Sequence, residues 1–319
     1  MTHTIPHYIK SNAKNYPKDI ALREKKFGVW KTKDWQQCLE EIENITLGLH
    51  AKGIHGKKTI AILGNNTPRW TLAEIAVQSL GSIPLGIYSD ALESEIIYLI
   101  DYSSCRVVFV EDEEQADKIM SLSDSKGKID LIVYDEPKGM NKYDDKRLIS
   151  YKNLLKTGHK FKKHNTNFFN KLLENINEED TCIFCPTSGT TANPKLAMIS
   201  HKALLNHAKS YLSADPKNST DEYVSVLPMP WIMEQTYAVG KWCISRMKVN
   251  FVEEAETLFD DLREIGPTFI LFGPRVWEQM AADIRSKVMD SSFIKRGIYG
   301  LSMKLMSLKS NFLIKLLCE

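Results

Sequence analysis

The sequence predicts an α/β protein built on two doubly wound, mostly parallel sheet units. Three observations carry this: apolar runs of four or five residues, longer stretches of helical spacing between them, and their regular alternation from Lys58 onward. Parallel strands need a long crossover, usually a helix, so repeated strand, helix, strand units give a sheet covered on both faces.

Thr59-Ile-Ala-Ile-Leu63 is the first buried strand. Asn66-Thr67-Pro68 then supplies a polar cap and a first-turn proline for a helix running through Trp70, Leu72, Ile75, Ala76 and Leu80 to a stop at Gly81. Strands follow at Pro84–Ile87, Val107–Val110 and Leu131–Tyr134, with a helix over Leu92–Ile100. The stretch 136–180 is rich in Lys, Asn and Asp without regular apolar spacing, and reads as a polar connector. The alternation then resumes with a strand at Ile183–Phe184, a helix over Ser200–Tyr211, a strand at Val224–Leu227 and a helix over Glu234–Met247. Strands at Val249–Val252 and Phe269–Phe272 and a helix after Pro274 complete the series.

The expected organisation is a first α/β unit over 1–135, the connector, a second unit over 181–293 and a basic amphipathic helical tail over 294–319. In the tail, Ile298, Leu301, Leu305, Leu308, Phe312 and Leu316 recur at helical spacing among Lys295, Arg296, Lys304, Lys309 and Lys315. Such a helix can lie on anionic lipid, yet most apolar helical stripes are core faces, so packing against further protein is the preferred reading.

The bulk numbers exclude several classes. A chain of 319 residues can bury a sizeable core without staples. Its formal net charge of +2 gives no field to recruit nucleic acid, so anion binding must be local. No window approaches the roughly 18 apolar residues of a membrane span. Six scattered cysteines and no signal peptide fit a cytoplasmic protein, at most peripheral at a membrane. Cys182 and Cys185 form a lone CxxC without the second half of a zinc site, and in a strand they point to opposite faces.

The segment that carries chemistry is CPTSGTTANPK, Cys185–Lys195, placed after a strand and ahead of a helix. Backbone donors converge beyond a parallel sheet, which is a natural address for phosphate. Gly189 permits close ligand approach, Thr187, Ser188, Thr190 and Thr191 supply hydroxyls, and Lys195 brings a point charge. The run is not a Walker A loop, because the second glycine and the residue after the lysine, Leu196, do not fit GxxxxGKS/T. On composition alone, a Ser/Thr-rich turn with a solvated lysine is an equal reading.

The run TSGTTANPKLAMISH resembles the phosphate-binding motif of the AMP-forming adenylating enzymes, TSGTTGxPKG followed by Ser-His, with Ala192 and Leu196 where glycine is usual. Four more segments resemble the long-chain fatty acid–CoA ligase branch: Ile62–Trp70, Gly81–Tyr88, Leu227-Pro-Met-Pro-Trp-Ile-Met-Glu-Gln235 and Gly273-Pro-Arg-Val-Trp-Glu278. The resemblance covers nearly the whole chain in the right order. It implies the N-terminal domain of the adenylate-forming fold, truncated, with the later motifs and the small C-terminal domain absent. A separately encoded C-terminal half is one way to supply them.

The implied activity is ATP-dependent conversion of a long-chain fatty acid to an acyl adenylate and transfer to coenzyme A; the alternative is a non-catalytic nucleotide- or fatty-acid-binding remnant. By resemblance, Thr187, Ser188, Gly189, Thr190, Thr191 and Lys195 hold the ATP phosphates, with Mg2+ bridging them and Thr191 as the candidate metal contact. Met229, Trp231, Met233, Glu234 and Gln235 are the acyl-tunnel candidates, although Trp and Met serve equally as core residues. Trp231 stands where the family has histidine, so that histidine's role is not carried over. Glu234 is equally suited to capping the helix that follows, and His201 to packing or capping.

Overall fold

The computed structural model describes residues 4–121, 129–187 and 194–307. These fall into two compact units, residues 1–270 and 271–319.

The first unit holds eleven described strands: β1 Ile20–Lys26, β2 Val29–Asp34, β3 Thr59–Leu63, β4 Ile83–Ile87, β5 Val107–Val110, β6 Leu131–Tyr134, β7 Leu148–Ser150, β8 Thr181–Thr187, β9 Lys195–Ser200, β10 Glu222–Ser225 and β11 Lys248–Phe251. They form a seven-stranded sheet in the order β7-β6-β5-β3-β4-β8-β9 and a four-stranded sheet in the order β10-β11-β1-β2. Every pairing is parallel except β8 with β9 and β1 with β2. The expected α/β class with mostly parallel sheets is therefore the one observed.

The sheets do not follow the sequence division at 135 and 181. β8 pairs with β4, so the strands after the polar stretch extend the first sheet. β10 and β11 instead join β1 and β2. The last two strands lie ahead of Lys58 and escape periodicity because their sequences, IALREKK and VWKTKD, are heavily charged. Those charges are used: Arg23 on β1 pairs with Glu222 on β10 at 3.0 Å. The connecting turn, Phe27-Gly28, has φ of 53° and 72°, the left-handed pair that a two-residue hairpin requires.

Residues 136–180 are not a bare connector. They hold β7 and the helices Tyr151–His164 and Phe168–Glu174, the first of them capped by Ser150, whose side chain accepts from Asn153 N. The helix Tyr151–His164 packs on the helix Trp35–Ala51 so closely that a Cβ on Gly158 would lie 1.8 Å from the Asn44 carbonyl oxygen. A glycine and a run of lysines obscure the apolar spacing of Tyr151 and Leu154, which are buried.

The helix Pro68–Ser79 contacts β3 and β4 of the larger sheet and β1 of the smaller. Thr67 caps it through a 3.1 Å bond from Trp70 N, Pro68 opens it, and Gly81 follows at φ 76°. All its residues except Arg69 are buried. A helix apolar on every side belongs inside, which makes its Glu74 and Gln78 conspicuous.

The expected helix over Glu234–Met247 is a turn at Ile232–Glu234, a π-helical stretch Gln235–Lys241 and a last turn Trp242–Ser245, ended by Arg246 at φ 63°. The expected strand Phe269–Phe272 does not form. Thr268 N reaches the Glu222 carbonyl at 3.1 Å, and Phe269 then stacks on Tyr223 instead of extending a ladder.

The second unit contains the helices Pro274–Met289 and Phe293–Ser307. Ile294, Ile298, Leu301 and Leu305 of the latter are exposed. The remaining tail positions, Leu308, Lys309, Phe312, Lys315 and Leu316, lie outside the described residues.

Candidate active site

Thr187 and Lys195, within the phosphate-type run, face each other on two antiparallel strands, so the run does not lead straight into a helix. β8 ends at Thr187 and β9 begins at Lys195, directly opposite, and Thr187 Oγ1 donates to the Lys195 carbonyl at 3.2 Å. Both residues are exposed. β9 lies between the run and the helix His201–Ala214 because KLAMIS pairs along β8 as far as Ser200. Ser188, Gly189, Thr190 and Thr191 lie outside the described residues.

Ser200 caps the helix His201–Ala214, accepting from Ala203 N at 3.1 Å. His201 is buried, and burial pushes its imidazole down to about 4, so it is neutral near pH 7 and can accept from Ile5 N, 3.4 Å away. That is a packing role.

Two resembling segments, far apart in sequence, are bonded to each other. Asn66 Nδ2 donates to the Leu227 carbonyl at 2.6 Å and to Ser225 Oγ at 2.8 Å, while Met229 N donates to Asn66 Oδ1 at 3.1 Å. The asparagine amide thus clamps the entry to the 227–235 segment with three directional bonds. Gly86 on β4 explains its neighbour motif: a Cβ there would lie 2.9 Å from Pro230 Cα. Since β4 pairs with β8, the Pro230 turn passes over the strand next to the one that carries Thr187.

The five acyl-tunnel candidates face different environments. Met229 is fully buried, Met233 half-buried, and Trp231 is 42% exposed. Gln235 is buried, and its Nε2 donates to Glu74 Oε2 at 3.0 Å and to the Met229 carbonyl at 2.8 Å. Glu234 is buried and is not a helix cap: it accepts from Tyr223 OH at 2.6 Å and Ser225 Oγ at 2.5 Å. Burial pushes its carboxyl up to about 8, partly offset by those two hydroxyl donors. Glu74 is likewise pushed up to about 8 by burial, against the pull of bonds from Gln235 and Gln78.

These raised carboxyls set a pH dependence. The folded protein holds protons that the unfolded chain releases above the ordinary carboxylate range, so the stability they contribute is complete at low pH and is lost as pH rises to about 8. The unfolding free energy, and with it the urea midpoint, is therefore expected to fall between about pH 5 and about pH 9, by on the order of 2–4 kcal/mol per group. Glu234→Gln should flatten part of that slope. Urea titrations across the range check it, and a midpoint that climbs with pH would contradict the burial argument.

Sequence reasoning missed Glu74, Gln78 and the reach of Asn66. The available signal was an acid and a glutamine four residues apart inside an otherwise apolar helix. A small cavity of about 30 Å³ also opens where the strand order reverses between β3 and β5, lined in part by Asn65, Arg69, Trp70 and Glu111. That is room for one or two waters, not for a substrate.

A mostly parallel sheet with Thr187 and Lys195 facing each other beyond the end of β8 defines an α/β fold of the kind that places ligand sites outside its strand ends. Comparison with known proteins gives the family. The AMP-binding enzyme family matches residues 9–308, and the chain belongs to it. Among curated relatives, the long-chain-fatty-acid–CoA ligase ACSBG2 of Rattus norvegicus is 25% identical over 97% of this chain and 46% of its own length. Fatty acyl-CoA synthetase A of Dictyostelium discoideum is 26% identical over 90% of this chain and 43% of its own. The chain thus spans less than half the length of these relatives. Among solved structures, a long-chain-fatty-acid-CoA ligase (FadD1) from Archaeoglobus fulgidus superposes with a TM-score of 0.73 at 15% identity, covering 90% of this chain and 55% of that one. At that identity the match shows the shared fold.

Proposed function

We propose that the chain provides the ATP and acyl elements of a long-chain fatty acid–CoA ligase. The observation that carries this is the Asn66 clamp, which fixes the 227–235 segment beside the strands leading to Thr187 and Lys195. The names of the curated relatives supply the substrate class.

In the proposed reaction a fatty acid carboxylate oxygen bonds to the α-phosphorus of ATP as the bond to the β-phosphate oxygen breaks, and pyrophosphate leaves. The thiolate of coenzyme A then bonds to the acyl carbon as the bond to AMP breaks. The first step brings two anions together, at a cost of about 1 kcal/mol at 4 Å in water and about 4 at an effective dielectric of 20. Lys195 at the hairpin mouth supplies countercharge, and Thr187, Ser188, Gly189, Thr190 and Thr191 would hold the β- and γ-phosphates as a positioned leaving group. Among the described residues no cluster of three or more His, Cys, Asp or Glu can hold a metal. Mg2+ would then enter with the phosphates, neutralising their charge, with Thr191 its candidate protein contact. Met229, Trp231, Met233, Glu234 and Gln235 would border the acyl chain, with Glu234 and Gln235 fixing the backbone that presents the methionines and tryptophan.

A second reading is a nucleotide- or fatty-acid-binding protein without turnover. Pyrophosphate release with ATP, Mg2+ and palmitate, measured for this chain alone and together with its neighbouring coding sequence, separates the two. Turnover in either form supports the ligase reading. Its absence in both, with Mg-ATP still bound, supports the binding protein. A separately encoded partner half would show as turnover only in the combined form. The exposed apolar side of the helix Phe293–Ser307 suits further protein or an anionic lipid surface, which vesicle sedimentation distinguishes.

A further inference from the structure

The strand that leads to the hairpin and the segment proposed to border the acyl chain are linked by a line of three buried side chains. Gln78 Nε2 donates at 3.0 Å to the Cys182 carbonyl on β8 and at 3.0 Å to Glu74 Oε1. On the other side, Gln235 Nε2 donates at 3.0 Å to Glu74 Oε2 and at 2.8 Å to the Met229 carbonyl. Glu74 and Gln235 are fully buried and Gln78 is 1% exposed.

We propose that Glu74 is a positioning residue whose two carboxyl oxygens, acting through Gln78 and Gln235, hold the strand leading to Thr187 and the segment 229–235 in one fixed relation. The proposal rests on reading those two stretches as parts of the ATP and acyl sites, and it adds a residue that touches neither ligand.

The chemistry of the line makes it directional. Each glutamine directs its one Nε2 at two acceptors, a carbonyl and a carboxyl oxygen, while its Oε1 has no partner among the described residues. Flipping either amide would set Oε1 against the Cys182 or Met229 carbonyl, so that carbonyl and Glu74 together fix the orientation of each glutamine. Held as the acid below about pH 8, the carboxyl still accepts on both oxygens, the hydroxyl oxygen through its remaining lone pair. Leucine would suit an apolar helix better, and a polar line in a dry core is costly unless every link is made. An amide in place of the acid keeps the shape, but its nitrogen has no lone pair to offer, so one of the two acceptors is lost. One glutamine must then flip, and its tie to Cys182 or to Met229 is lost.

The test uses Glu74→Gln, with Gln78→Met and Gln235→Met as variants that each cut one end. Amide hydrogen exchange is followed in 181–187 and 227–235, and the binding of Mg-ATP and of palmitate is measured by calorimetry. In Glu74→Gln, exchange is expected to rise about tenfold in at least one tied segment, as loss of one buried hydrogen bond implies, with the helices Trp35–Ala51 and Tyr151–His164 unchanged. Both ligands should weaken by about tenfold, again the worth of one such bond. Across the line, Gln78→Met should weaken palmitate and Gln235→Met should weaken Mg-ATP. A merely structural glutamate would instead lower the melting temperature and raise exchange everywhere. Unchanged exchange in both segments of Glu74→Gln overturns the proposal, as do end-specific variants that affect only their own ligand. If the unaltered protein binds neither ligand, the functional reading fails, and the exchange data alone decide whether Glu74 ties the segments together.

Discussion

Lys195→Ala is expected to weaken Mg-ATP binding by about a hundredfold, on the order of 3 kcal/mol, the scale of one charged donor removed from a phosphate site. Lys195 begins β9 across the hairpin mouth from Thr187, and its side chain is exposed. Its loss therefore removes charge without opening a cavity, and the melting temperature should stay within about a degree, as for surface changes generally. Lys195→Arg keeps the charge and should recover part of the affinity, though the planar guanidinium does not reproduce the compact ammonium. Calorimetric titration with Mg-ATP decides the matter. Equal affinity in the unaltered protein and Lys195→Ala would leave the hairpin as an ordinary Ser/Thr turn.

Trp242→Ala should destabilise the first unit by about 3–5 kcal/mol, the range for truncating a buried aromatic ring. Trp242 is fully buried, its ring stacks on that of Trp35 at 4.6 Å, and its Nε1 donates to the Ala21 carbonyl on β1 at 3.1 Å. Truncation removes the stack, opens a void and leaves a buried carbonyl without its donor. Trp242→Phe, which keeps much of the ring, should cost markedly less. Urea denaturation followed by far-ultraviolet circular dichroism measures both. A loss below about 1 kcal/mol for the alanine variant would mean that the core around Trp35 collapses to fill the space.

Much of the fold was legible because local chemistry and tertiary structure agree. Ile60–Leu63 is a continuous apolar run and lies in the middle of a sheet; Asn66-Thr67-Pro68 announces a helix start, and Thr67 does cap it. Where they disagree, the pattern misled. Tyr151–His164 buries only one narrow side, and its glycine serves a close helix crossing that no propensity reveals. Phe269–Phe272 is apolar enough for a strand, but Phe269 stacks on Tyr223 and packs against Tyr237 instead of joining a ladder. At the candidate site the motifs named the segments, but their contacts depend on side-chain reach across 161 positions between Glu74 and Gln235, which periodicity cannot encode. Glu74 left a local trace, an acid four residues before Gln78 in a helix otherwise buried apart from Arg69, but that trace does not reveal its bond to Gln235.

The register of the smaller sheet has a kinetic consequence. β1 and β2 are joined by a two-residue turn and can close within microseconds, but β1 finds its parallel neighbour only at Val249–Phe251, so Leu22 waits for Val249. During synthesis at about 5–20 residues per second, the edge of β1 therefore stays open for tens of seconds before its partner emerges. Slow, chaperone-sensitive refolding, with the larger sheet protected first, is the behaviour that this threading prescribes.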